Sequence, residues 1–154
     1  MLEINPEKNF SGAKAALISD RSVLTLQRDN IPSIPFPDMW DLPGGGREDN
    51  ETPEECVLRE LWEEMGLRLS PVDLIYRNHR HGVLEGEAAI WLFGGVLHDF
   101  DPAQIRFGNE GQGWELMPIE TYLSHPKGIA HLQEGLRGFL NHLEQGEEGV
   151  SNGK

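Results

Sequence analysis

Gly44-Gly45-Gly46-Arg47-Glu48-Asp49-Asn50-Glu51-Thr52-Pro53-Glu54-Glu55-Cys56-Val57-Leu58-Arg59-Glu60-Leu61-Trp62-Glu63-Glu64-Met65-Gly66-Leu67 is the stretch that decides how this chain is read. It opens on a turn of unusual backbone freedom and runs into the best helix signal in the sequence. Thr52 can serve as N-cap, Pro53 suits the first helical position, and Glu55 completes a capping box. Gly66 suits the left-handed residue that closes a helix. At about 100° per residue, Glu60, Glu63 and Glu64 stand at i, i+3 and i+4 and share one face. Leu58, Leu61, Trp62 and Met65 fall on the roughly opposite arc, where a core-facing stripe is expected. Like charges on one face repel, and a divalent cation would turn that repulsion into binding. Carboxylate oxygens suit Mg²⁺ or Mn²⁺ better than zinc, which prefers histidine and cysteine. Glutamate clusters on helices are usually solvated faces, so this face alone does not establish a site.

The spacing around it is more specific. From Gly45 the chain reads Gly, five residues, Glu51, seven residues, Arg59-Glu60-Leu61, one residue, Glu63-Glu64, one residue, Gly66-Leu67. An accidental match at every fixed position is expected on the order of once in 10⁸ starts. The pattern resembles, without gap or substitution, the Nudix box of the Nudix hydrolase family. That resemblance implies an α/β fold, an α/β/α sandwich around a mixed β-sheet. It implies hydrolysis of a phosphoanhydride bond with Mg²⁺ as cofactor, Mn²⁺ being able to substitute. It makes Glu60, Glu63 and Glu64 metal ligands, joined by a carbonyl of the glycine turn at Gly44, with Glu63 and Glu64 at the reaction centre. Gly45, Glu51, Arg59 and Gly66 become structural supports, Glu51 and Arg59 bracing loop against helix. The box covers only Gly45–Leu67, and substrate choice in this family lies outside it.

Outside the box the elements agree with such a sandwich. The apolar runs Ala13–Ile18 and Val23–Gln27, with Asp20-Arg21-Ser22 between, read as a β-hairpin. A loop with Pro32, Pro35 and Pro37 follows. Asp73–Arg80, Ala88–His98 and Gly113–Met117 read as strands, and Gly128–Leu143 as a helix from its three- and four-residue apolar spacing. One domain over 1–144 is expected, with 145–154 a flexible acidic, Gly-rich tail.

A metal-assisted hydrolysis needs a base, and Glu64 is one candidate. Glu110 is the other, because Gly108-Asn109-Glu110-Gly111-Gln112 followed by Trp114 resembles a loop of MutT-like pyrophosphohydrolases that brings a further glutamate to the metal. Arg28, Trp40 and Arg77 are the substrate-binding candidates, for phosphates, a stacked base, and phosphates or base respectively. His79, Arg80 and His81 extend the basic stretch around Arg77. Cys56 has no histidine partner nearby and reads as structural.

The formal net charge of −13 argues against a nucleic-acid or anionic-membrane binder. It leaves room for a small nucleotide substrate if cations offset the field locally. The lone Cys56 and the lack of a signal-like N-terminus point to the cytoplasm. Many relatives are homodimers, but nothing in the sequence decides the oligomeric state. The compact length and the Glu110 loop favour a MutT-like nucleoside triphosphate pyrophosphohydrolase. His125-Pro126-Lys127-Gly128 lacks the asparagine with which oxidised-guanine enzymes read the base. The alternatives are a nucleotide-sensing domain without catalysis, an enzyme of ADP-ribose or another nucleotide sugar, or an acidic interaction domain.

Overall fold

Long strands buried on both faces organise the molecule. The computed structural model describes residues 5–80 and 89–152, with side chains described to residue 146. His81, and Ala88 at the start of an expected strand, lie outside the described residues. Strand β1 (Gly12–Ser19) turns tightly into β2 (Ser22–Gln27), pairing Ile18 with Val23 and Ser19 with Ser22. Beyond that turn the two strands diverge. The run through β3 (Trp40–Asp41) and β4 (Gly44–Gly46) fills the gap, β3 pairing with β2 and β4 with β1. Strands this short carry no periodicity, so the sequence shows only the glycine turn here.

The far side of β1 runs parallel to β6 (Ile90–Val96), which pairs antiparallel with β5 (Tyr76–Arg80). Strand β7 (Gly113–Pro118) closes the other edge against β2. One parallel pairing among antiparallel ones makes the sheet mixed. Period-2 alternation divides its side chains between two cores. Ala13, Ala15, Leu17, Trp91 and Phe93 face helix α1 (Pro53–Met65). Ala16, Ile18, Leu92 and Met117 face α2 (Ile119–Ser124) and α3 (Ala130–Asn152), where Tyr122, Leu132, Leu136 and Phe139 are buried. The result is an α/β/α sandwich.

Two boundaries differ from expectation. Residues 71–73 form a single 3₁₀ turn, with the Ser70 N–H donating to Asp73, so β5 starts only at Tyr76. Helix α3 continues through residues 145–152, the stretch expected to be a separate tail. Glutamate and glutamine are good helix formers, so the polar composition that suggests a tail is equally compatible with a helix. Among the described residues no helix is long and apolar enough to cross a membrane.

Candidate active site

Helix α1 begins and ends as its sequence requires. Thr52 Oγ1 accepts from the Glu55 N–H at 3.1 Å, Glu55 accepts from the Thr52 N–H at 2.8 Å, and Gly66 closes the helix at φ 65°. Val57, Leu61 and Met65, spaced by four, form the buried seam, with Pro53 and Cys56 beside it. Trp62 does not join them: it is 50% exposed and carries the Arg68 guanidinium 4.3 Å above its ring. The seam runs along the 57-61-65 row, and one further step around the helix puts Trp62 outside. The same rotation moves the glutamates. Glu60 and Glu64 are half-buried at the rim of the seam, and of the three only Glu63 is exposed. The glutamate face is therefore not opposite the core but borders it.

That border abuts the glycine turn. Gly44 has φ 139°, and a Cβ there would sit 2.1 Å from the Ala13 carbonyl oxygen, so no other residue fits. A Cβ on Gly45 would lie 2.6 Å from Glu60 Oε2, so its absence lets the carboxylate rest against the turn. The Gly44 N–H donates to Glu64 Oε1 at 2.7 Å. The turn's carbonyls are also engaged. Lys14 Nζ donates to the Gly44 oxygen at 3.3 Å, the Cys56 thiol to that of Gly45 at 3.7 Å, and Arg59 to that of Gly46 at 2.8 Å.

Arg59 fans across this region. It makes a two-pronged pair with Glu51 at 2.6 and 3.0 Å, and reaches Glu60 at 2.8 Å and Glu63 at 3.0 Å. The guanidinium holds the Glu51 carboxyl below its ordinary range. Burial pushes Glu60 upward, with Arg59 partly offsetting it. Burial pushes Glu64 to about 7, against the opposing pull of Lys14 and the Gly44 N–H. Cys56 is buried and its thiol is pushed up to about 11, chiefly by that burial, which leaves it inert near neutral pH.

Carboxylate and peptide oxygens, two of the carboxylates drawn partly out of solvent, are the donor set a hard divalent cation prefers. Among the described residues no three acidic, histidine or cysteine side chains already converge as a finished cage. Glu63 and Glu60 would have to turn from Arg59, and the Gly44 carbonyl from Lys14, to complete one.

Beside the glutamates stands a charged group that the sequence reading passed over. Asp41 is 1% exposed, and its Oδ2 accepts from Lys14 Nζ and from Arg28 at 2.9 Å each. Its Oδ1 accepts from the Leu42 N–H at 2.8 Å. Arg28 is further fixed by donating from Nε to the Pro35 carbonyl at 2.9 Å. A lone lysine inside the otherwise apolar run Ala13–Ile18 was the available signal, since such a charge is seldom buried without a purpose.

Two hollows meet at Arg28. One, of about 300 Å³, is lined by Arg28, Asp29, Ile34, Glu64, Glu110 and Gly111. Glu110 reaches it because its loop is docked on the end of α1: the Gly108 N–H donates to the Glu64 carbonyl at 2.8 Å, and the Arg106 N–H to that of Met65 at 2.8 Å. The other, of about 420 Å³, lies on the α3 side of the sheet and includes Lys14, Arg28, Asp41 and Gly45 in its lining.

Arg77 and Trp40 are elsewhere. Arg77 pairs with Glu7 at 2.9 Å and Glu54 at 3.1 Å and lies 4.3 Å over the Trp91 ring. Glu54 begins α1 whereas Glu64 ends it, a separation of roughly 15 Å at 1.5 Å per residue. Arg77 thus ties the edge strand to the start of the helix instead of facing the cleft. Trp40 packs against the core under α3 with its ring tilted against His125, and its carbonyl accepts from Ile129 N–H and Tyr122 O–H. It braces the entry to α3, and Phe36 is the aromatic ring on the larger hollow.

Comparison with known proteins agrees with this geometry. The family model described as NUDIX domain matches residues 9–137. An RNA pyrophosphohydrolase of Hydrogenovibrio crunogenus is 27% identical over 131 residues, covering 71% of this chain and 78% of that one. A MutT-like protein of Streptomyces ambofaciens is 47% identical over 82 residues, covering 51% of this chain and only 49% of that relative. The crystal structure of a MutT protein from Methanosarcina mazei Go1 superposes with a TM-score of 0.68 at 23% identity, covering 88% of this chain and 96% of that one. At that identity the likeness concerns the fold.

Proposed function

Because the chain belongs to the NUDIX domain family, in which it is a Nudix hydrolase, we propose that it is a Mg²⁺-dependent, MutT-like pyrophosphohydrolase of nucleoside di- or triphosphates. The observation that carries this reading is the meeting of Glu60 and Glu64 with the glycine turn, beside a cleft that Arg28 and Glu110 share. In it, Glu60, Glu63, Glu64 and the Gly44 carbonyl hold the cation, Mn²⁺ being able to substitute. A bound cation of this kind lowers the pKa of its water and spreads the charge gathering on phosphate oxygens.

The chain's own residues have the remaining work. Arg28 and Lys14, held side by side on Asp41, face the phosphates and offset the acidic net charge where the substrate enters. Glu64 or Glu110 takes the proton of the attacking water, both lining the same hollow. Arg59 and Glu51 keep α1 at a fixed distance from the turn, so that the glutamates keep their place. The names of the relatives, RNA pyrophosphohydrolase and MutT-like protein, are both consistent with phosphoanhydride cleavage and do not choose the nucleotide.

The test is a Mg²⁺-supplemented screen of nucleoside triphosphates, 8-oxo-dGTP, ADP-ribose, dinucleoside polyphosphates and 5′-triphosphorylated RNA, scored by product. The expected result is release of a nucleoside monophosphate with pyrophosphate from a triphosphate, abolished by chelation. Tight nucleotide binding without turnover across the panel would replace this reading by a sensing role.

A further inference from the structure

The larger hollow has two unlike ends. Lys14 and Arg28, both paired with Asp41, leave one end with a net positive charge, while Phe36, Ile90, Ile129 and Leu132 make the rest apolar. Its volume of about 420 Å³ is within the range of small-molecule sites, and it opens beside the glycine turn at Gly45 and Gly46. A cation-lined mouth at the phosphate site leading to an apolar chamber suits a phosphorylated molecule with a flat, weakly polar ring.

His131, in the first turn of α3, also lines that chamber, with its ring 5.9 Å from that of Phe36. Its Nδ1 is buried and has no hydrogen-bond partner. Among the described residues the only other buried side-chain polar atom in that condition is Arg80 Nε. Native interiors leave few polar atoms so, and each calls for a physical reason. Burial, with the Arg80 guanidinium adding to it, pushes His131 down to about 4. The ring is therefore neutral at working pH, one nitrogen donating and the other accepting. Rotation of an imidazole about its Cβ–Cγ bond is broad and soft, so either nitrogen can be turned toward an occupant.

Resting on the nucleotide reading above, we propose that His131 is the specificity-determining residue for the nucleobase. The base lies in the chamber against Phe36 with its phosphates toward Lys14 and Arg28, and the imidazole hydrogen-bonds its polar edge. A site built around such a bond rejects a base that cannot complete it, because a buried polar group is then left unpaired.

Calorimetry with the four ribonucleoside 5′-monophosphates and ribose 5-phosphate tests this on wild type, His131→Leu and His131→Gln. Wild type is expected to bind one base at least tenfold more tightly than the weakest. His131→Leu is expected to bring the four within threefold, leaving ribose 5-phosphate within twofold of wild type. His131→Gln replaces the imidazole by a hydrogen-bonding group of different geometry and is expected to change which base binds most tightly, and it carries the test alone if His131→Leu does not fold. Equal binding of all four bases by wild type, or an unchanged preference in either variant, would overturn the proposal. Base preference in a protein that turns over no nucleotide sinks the hydrolase reading and leaves His131 in place. Turnover by a wild type indifferent to the base does the reverse.

Discussion

The end of α1 and the chamber under α3 lie on either side of the glycine turn, and they are built in opposite ways. Glu60, Glu63, Glu64, Arg59, Glu51 and the glycines come from one short stretch, and their arrangement follows from helix caps and a fixed spacing. The chamber takes Lys14 from β1, Arg28 from the end of β2, Phe36 from a proline-rich loop, Asp41 from β3 and His131 from α3. The difference teaches where each kind of information resides. Chemistry that needs several carboxylates at fixed distances can be written on one helix. Recognition of a varied molecule is assembled from distant segments, each free to change without disturbing the others.

The sharpest way to break this comparison is Glu64→Gln, which keeps the acceptor for the Gly44 N–H and removes the charge. A loss of roughly 10³-fold in kcat is expected, with KM little changed. Steady-state kinetics at saturating Mg²⁺ decides it, and a rate within a few-fold of wild type would remove Glu64 from the chemistry.

The second test concerns the cost of the helix end before a cation arrives. Glu64 has an ordinary value of 4.5 and is raised to about 7 in the fold. Between those values the native state keeps a proton that the unfolded chain has released, so stability must fall as pH rises. The contribution is fully present below about 4.5 and lost through 7, amounting to about 3 kcal/mol at most. Chelator-treated protein should therefore melt lower at pH 7.5 than at pH 5.5. Mg²⁺ should reduce that difference, and so should Glu64→Gln. A melting curve indifferent to all three would mean that burial does not penalise the Glu64 carboxylate.

Lys14→Met moves the test to the chamber mouth. Asp41 keeps Arg28, so the fold should hold, while KM rises roughly tenfold and kcat changes less. An effect confined to kcat would place Lys14 with the glutamates instead. The smallest effect is expected from Arg77→Ala. It breaks partly exposed pairs with Glu7 and Glu54, so kcat/KM should stay within twofold and stability within about 1 kcal/mol.

How much of this could be read beforehand follows the same division. The hairpin, the capped helix and the later strands are local or periodic signals that the sequence carries openly, and the sandwich follows from the resemblance of the box. A helical wheel ranks the apolar Trp62 with Leu61, yet only the 57-61-65 row reaches the sheet, so the orientation of α1 depends on packing that the wheel does not contain. Lys14 stands out as a single charge within an apolar run, but its partner Asp41 lies 27 residues further on, a separation that no local pattern records. Trp40 and Arg77 looked like binding groups by residue type alone. Their neighbours, His125 for one and Glu54 for the other, are what give them structural duties.

The short run from Trp40 to Gly46 has one more consequence. It is stitched to β2 at one end and to β1 at the other, in two registers that must agree. Lengthening or shortening it by one residue would turn Asp41 to the other face or pull Gly44 from Lys14. The loop before it, residues 29–38, belongs to no strand and is held instead by side-chain bonds, such as that from Arg28 Nε to the Pro35 carbonyl. Evolution, or an engineer, can therefore retune the entrance by inserting residues in that loop. The span between Trp40 and Gly46 must keep its length, acting as a ruler that sets the distance from recognition to reaction.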